Sequence, residues 1–233
     1  MSADELDVVL IDGGVAIMTL QRPPHNFLDT SMVSAIADAI DAVQGSSRCI
    51  VLRSEGRNFS AGRDFRAPRG KNDEPEDLYR EAARLFARNT PLIAAVRGAA
   101  VGAGLGLALA ADLRVVAPDS RFEAPFAKLG TQQGFGITRT LPTIVGQQAA
   151  RRMLLTADPV YGTEAVQLGL ADYVEPGPRA IDDRAIALAR QIAAYPHDSL
   201  SAIRDSLAPA YEGLADVFVA EAAAQRELRT QRS

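Results

Sequence analysis

The chain has 233 residues, 47% of them apolar and 23% charged, with 25 basic side chains against 29 acidic ones and a formal net charge of −4. This is an ordinary globular composition, long enough for one substantial core, and its near-balanced charge argues against broad nucleic-acid binding. The single cysteine, Cys49, excludes an internal disulfide framework and a cysteine-rich zinc site, and the two histidines, His25 and His197, leave little for a histidine metal centre. The opening MSADELDVVLI has no basic segment before a long apolar run, and the longest apolar stretch, near 99–111, is interrupted by glycines and too short for a bilayer. The expectation is a soluble cytoplasmic protein with no metal, no nucleic acid and no membrane association.

In chain order, residues 8–11 and 15–20 are β-rich runs split by Asp12-Gly13-Gly14, which reads as a hairpin. A stiff Arg22-Pro23-Pro24-His25-Asn26 loop follows. Asp29 or Thr30 caps a helix whose apolar positions Met32, Val33, Ile36, Ile40 and Val43 recur with helical period. Residues 49–52 read as a buried strand, 54–74 as loop, and Tyr79, Ala82, Leu85 and Phe86 share a helix face. Strands at 92–96 and 113–116 bracket a glycine-rich turn and a helix that runs to Ala111, and a further strand lies at 121–124. Helices at 141–155 and 163–168 and a short strand at 172–174 complete an α/β core. Beyond Pro176 and Pro178 the chain is helix-forming at 181–193, 199–207 and 211–229. The division is a core of residues 1–175 and a helical segment of 176–233.

Two small-residue turns are the places where chemistry could sit: Phe59-Ser60-Ala61-Gly62-Arg63-Asp64 and Gly102-Ala103-Gly104-Leu105-Gly106. Small residues at a strand-to-helix junction let a ligand approach the backbone, and the helix that follows aims unpaired N–H groups and its positive end at that junction. One N–H from each turn would polarise a single carbonyl oxygen. Tight packing of helix against strand is the plainer reading of the same glycines.

These segments, taken together, resemble the crotonase superfamily, the enoyl-CoA hydratases and isomerases. Leu20-Gln-Arg-Pro-Pro-His-Asn26 resembles the early L-x-R-P-x-x-N segment, Phe59-Ser-Ala-Gly-Arg-Asp64 the F-[SA]-A-G-x-D loop, and Pro91-Leu-Ile-Ala-Ala-Val-Arg-Gly98 the strand before the second turn. Ala100-Val-Gly-Ala-Gly-Leu-Gly-Leu-Ala108 resembles the following helix start imperfectly, and Ala111-Asp-Leu-Arg-Val115, Leu154-Leu-Thr-Ala157 and Glu164-Ala-Val-Gln-Leu-Gly-Leu170 keep register to about residue 175. The resemblance implies a spiral of ββα units, a homotrimer or hexamer with the helical segment 176–233 serving oligomerisation, and a pocket for a bent acyl-CoA thioester. Coenzyme A is then part of the substrate, and no separate cofactor is implied. It places the two oxyanion donors at the backbone N–H groups of Arg63 and Ala103, with Ala61, Asp64 and Gly104 in the binding loops. The resemblance also puts Arg66 near the phosphates, in a local run of Arg63, Arg66, Arg69 and Lys71 that would suit a polyphosphate.

The same resemblance exposes what is missing. The positions where relatives carry acids hold Gly106, Phe126 and Gly134 here, none able to move a proton. Glu123, three residues before Phe126 on a strand, faces the other side and reads as salt-bridged; Asp64 reads as a loop-holding carboxylate. Gln132 and Gln133, with Thr131 and Thr138, are polar candidates for lining the acyl pocket, and Phe126 with Phe135 would make that pocket apolar and suit a flat acyl group. Relatives run further at the C-terminus; a tail that is naturally this short would leave the pocket more open. Two alternatives remain: a non-catalytic acyl-CoA-binding protein or partner subunit, and a dinucleotide-binding oxidoreductase. The second would use the Gly102/Gly104 turn, although its third fingerprint position is Leu107 rather than glycine or alanine. No G-x-S-x-G elbow of a serine hydrolase occurs.

Overall fold

The computed structural model describes residues 5–64, 74–207 and 213–231. The frame is a six-stranded sheet in the order β1-β2-β3-β4-β6-β9. β1 (Leu6–Ile11) and β2 (Val15–Leu20) form the antiparallel hairpin at its edge. β3 (Cys49–Ser54), β4 (Leu92–Val96), β6 (Leu113–Val116) and β9 (Tyr173–Val174) add in parallel, in registers such as Ile50 opposite Leu92 and Ile93 opposite Leu113. Parallel strands covered on both faces read as unbroken apolar runs, which is why 49–52 and 92–96 announce themselves in the sequence.

Alternate residues divide the core in two. Met18, Leu20, Ile50, Leu52, Ala94 and Val96 face α1 (Thr30–Val43), α2 (Pro75–Ala87) and α3 (Ala103–Ala110). Ile17, Val51, Ile93, Ala95 and Val115 face α7 (Pro178–Ala193) through Ile181, Ala185, Leu188 and Ala189. The Asp29 carboxylate caps α1 by accepting from the Met32 N–H at 2.8 Å, and Arg22 pairs with it at 2.9 Å.

A second, three-stranded sheet carries the site. β5 (Ala99–Val101) pairs in parallel with β7 (Arg121–Glu123), which pairs antiparallel with β8 (Val160–Tyr161). β5 and β8 are absent from the sequence reading: β5 lies within the stretch read as a glycine-rich turn, and β8 lies in the short gap between two helices. α4 (Phe126–Leu129) is a single turn, and α5 (Ile137–Thr156) starts earlier than the pattern from 141 suggests, with a break at Gly146. α6 (Gly162–Gln167), α8 (His197–Leu207) and α9 (Leu214–Thr230) complete the chain, and α9 lies against α2 and α5. Among the described residues no helix is long and apolar enough to cross a membrane. Nor do they hold a group of three or more histidine, cysteine or carboxylate side chains that could bind a metal ion.

Candidate active site

The first turn is held from several sides. Asn26, buried and at φ 49°, accepts from the Arg22 N–H at 2.9 Å and donates to the carbonyls of Glu55 and Asn58 at 2.7 and 2.8 Å. This locks the 22–26 loop against the 55–58 loop. Ser60 bridges to Ala100 on β5, its hydroxyl donates to the Asn26 carbonyl at 2.7 Å, and it accepts from the Gly62 N–H at 3.1 Å. The Ala61 N–H donates to the His25 carbonyl at 2.8 Å. His25 itself holds this loop, with Nδ1 2.8 Å from the Asn58 amide.

The second turn is β5 running into α3. Gly62, at φ 82°, lies so close that a Cβ there would stand 2.4 Å from the Val101 carbonyl oxygen and 3.3 Å from the Ala103 nitrogen. The two turns are therefore in backbone contact. Ala103 is the first helical residue, so its N–H has no partner inside the helix. Arg63 and Ala103 border the same cavity of about 560 Å³.

The other walls come from four elements. Pro75, Leu78 and Tyr79 belong to α2, Pro125, Phe126 and Leu129 to α4 and its start, Phe135 to the turn before α5, and Gln225, Leu228 and Arg229 to α9. The tip of the Phe126 ring approaches the second turn, 4.0 Å from where a Cβ on Gly102 would stand. α9 thus supplies one wall of the cavity.

Of the residues singled out in the sequence, Ala61, Arg63, Ala103, Phe126, Thr131 and Gly134 line this cavity. Gly104 does not: a Cβ there would meet the Ser60 carbonyl at 2.3 Å, so this glycine is a packing contact between the turns. Gln132 and Gln133 stand outside the lining; the Gln132 carbonyl accepts from Gln225 at 2.8 Å and the Gln133 amide donates to Thr138 at 3.0 Å. Asp64 is half-buried at the end of the first described stretch, and Arg66, Arg69 and Lys71 lie outside the described residues. Glu123 pairs with Arg121 at 2.9 Å and with Lys128 at 3.8 Å, away from the cavity.

The two glycines that the resemblance puts at acid positions are hemmed in by neighbours. A Cβ on Gly106 would stand 2.6 Å from the Phe135 Cβ, and one on Gly134 would stand 1.7 Å from the Tyr79 hydroxyl. Phe135 is fully buried at φ 61°, an uncommon backbone for a bulky residue. The turn holding it is pinned by Glu221 of α9, whose carboxylate accepts from the Gly136 and Thr138 N–H groups at 2.8 and 2.9 Å. Burial pushes the Glu221 carboxyl above its ordinary range, and those hydrogen bonds only partly offset it. Burial likewise pushes the Tyr79 phenol far up; Glu221 adds to this, while the Gln225 hydrogen bond and the charges of Arg63 and Arg229 oppose it. Sequence reasoning missed Tyr79, Gln225 and Glu221. Tyr79 read only as one more residue on an apolar helix face, and nothing in the spacing shows that the last helix returns to this wall.

The chain matches the family described as "Enoyl-CoA hydratase/isomerase" over residues 11–232. It belongs to that family. A probable enoyl-CoA hydratase of Bacillus subtilis is 32% identical over 84% of this chain and 80% of its own length. The probable enoyl-CoA hydratase EchA14 of Mycobacterium tuberculosis is 36% identical over 95% of this chain and 89% of its own. Among solved structures, an enoyl-CoA hydratase/isomerase from Pseudoalteromonas atlantica superposes with a TM-score of 0.88 at 26% identity, covering 96% of this chain and 91% of that one. An enoyl-CoA hydratase subunit from Geobacillus kaustophilus gives 0.82 at 30% identity, covering 97% and 90%. The enoyl-CoA hydratase/isomerase family works on acyl-CoA thioesters, and the crotonase-type α/β architecture is the one the motifs implied.

Proposed function

We propose that the protein binds an acyl-CoA thioester with its carbonyl oxygen between the backbone N–H groups of Arg63 and Ala103 and its acyl group in the cavity beyond. The observation that carries this is the backbone contact of Gly62 with 101–103, which brings two turns far apart in sequence to one cavity wall. Fixed N–H donors aimed at a thioester oxygen stabilise the negative charge it gains as an enolate forms. The helix N-terminus at Ala103 adds a favourable field. The coenzyme A portion comes with the substrate, and no further cofactor is needed. We place the protein in the cytoplasm as a homotrimer or hexamer assembled partly through 176–233; light scattering on the purified chain measures that mass directly.

A second reading is favoured by one observation: the acid positions are not merely substituted but occupied by Phe135, Phe126 and the Tyr79 hydroxyl. On that reading the protein holds acyl-CoA without ordinary hydration. The test joins binding and turnover. Thermal unfolding is followed with free CoA, crotonyl-CoA, an arylacyl-CoA and NAD, and crotonyl-CoA hydration is assayed. A thioester present at a hundredfold over its dissociation constant adds about 2.7 kcal/mol of stability. Stabilisation by thioesters beyond free CoA is the expected result, with hydration well below an ordinary enzymatic rate of about ten per second. Hydration at that rate would overturn the second reading, and stabilisation by NAD alone would overturn both.

A further inference from the structure

Within an apolar cavity, one buried hydroxyl stands out. Tyr79 is 5% exposed and lines the cavity, and its oxygen lies where the side chain of Gly134, another lining residue, would begin. Its hydrogen-bond polarity is fixed by a chain of partners. The Gln132 carbonyl can only accept, so the amide nitrogen of Gln225 must face it, at 2.8 Å. The amide oxygen of Gln225 then faces Tyr79, and the phenol must donate to it, at 2.9 Å. The Tyr79 proton is thus committed to α9, and its oxygen offers lone pairs rather than a proton to whatever enters.

Arg63 and Arg229 are donors without acceptor capacity and the Gln225 amide is engaged at both ends, so Tyr79 is a buried side-chain acceptor among the lining residues, while the Thr131 hydroxyl, which can also accept, stands in a half-exposed position. A purely apolar acyl group would leave the Tyr79 oxygen facing hydrocarbon, whereas a hydroxyl would satisfy it. A site built to hydrogen-bond a ligand hydroxyl discriminates against the analogue that lacks one.

We propose that Tyr79 is a specificity-determining acceptor for a hydroxyl on the acyl group, so that hydroxyacyl thioesters are the preferred ligands. This rests on the acyl-CoA reading above. The test is calorimetric titration of matched thioesters: butyryl-, 3-hydroxybutyryl- and acetoacetyl-CoA, and the longer pair phenylacetyl- and 4-hydroxyphenylacetyl-CoA. The aryl pair has no hydroxyl that hydration chemistry could eliminate. For at least one pair, the hydroxyl form should bind the wild-type chain on the order of fivefold tighter. Tyr79→Phe should erase that preference, the hydroxyl form losing more affinity than the plain thioester. Gln225→Leu frees the phenol proton, so acetoacetyl-CoA, which brings an acceptor, should gain on 3-hydroxybutyryl-CoA. This reversal is one that a merely structural role would not produce, and it keeps the proposal testable if Tyr79→Phe fails to fold. Equal binding within both pairs overturns the proposal and leaves the acyl-CoA reading standing. Failure of every thioester to bind overturns that reading and this inference with it.

Discussion

Tyr79 crowds Gly134 and Phe135 crowds Gly106, and the consequence is a steric prediction. Adding one methyl at Gly134 places it 1.7 Å from the Tyr79 oxygen, with the Gln225 amide nitrogen at 2.8 Å. Gly134→Ala must therefore displace the Tyr79–Gln225 pair, and overpacking of this kind costs about 1–3 kcal/mol. Urea unfolding should show the midpoint falling by a corresponding amount, and an unchanged midpoint would mean that the ring moves freely. Gly106→Glu puts back a carboxylate at a position where relatives have one, yet its Cβ would meet Phe135 at 2.6 Å. It should lower stability more and yield no hydration of crotonyl-CoA; a stable, active variant would refute the steric account. The resemblance puts Gly106, Phe126 and Gly134 at motif positions where relatives carry acids, and that much is read from the sequence. What fills the vacated volume was not legible, because it comes from α2 and from the turn before α5, and only the fold brings these together.

Elements differ in how openly the sequence declares them. α1 was readable because its cap, Asp29, is local and its apolar spacing is regular; the inner strands were readable because both of their faces are buried. The start of α5 was not, since its first N–H groups are capped by Glu221 from α9 rather than by a neighbouring residue. Another tertiary device ties four elements together at the far end of the sheet. Asp112, just before β6, pairs with Arg88 after α2 at 2.8 Å and with Arg204 of α8 at 3.2 Å, and accepts from the Leu92 N–H of β4 at 2.7 Å. Burial alone would push the Asp112 carboxyl up, but the two guanidinium groups and the backbone N–H outweigh it and hold it below its ordinary value of 3.8. A depressed folded-state value means that this stability is present above 3.8 and is lost as pH falls through the lowered value. Asp112→Asn should therefore weaken the protein at neutral pH and flatten its acid unfolding limb. Parallel acid limbs for the two chains, measured by circular dichroism, would show that the cluster contributes nothing.

At the scale of the whole molecule, the cavity joins parts of the chain that fold from opposite ends of the sequence. The proposed thioester oxygen site belongs to 61–63 and 101–103, while the far walls belong to α2 and α9. α9 is tied to that wall by Gln225, by Glu221 and by Phe218, whose ring lies 5.9 Å from both Tyr79 and Phe86. The middle of α9 is thus held by contacts an acyl group would reinforce, while Val219 on its outer side is 71% exposed. A ligand that binds only the folded arrangement slows local opening wherever it makes contact. Hydrogen exchange should therefore separate the two halves of an acyl-CoA. Free CoA should leave α2 and α9 exchanging as in the unliganded protein, whereas a thioester with a filled acyl group should slow exchange in 75–82 and 218–229 as well as in the two turns. Protection confined to the turns would place the acyl group outside this cavity and remove the basis for assigning its walls a part in selectivity. Protection of α9 by the thioester alone would make the last helix of the chain part of the binding site, a role that no motif in 214–230 discloses.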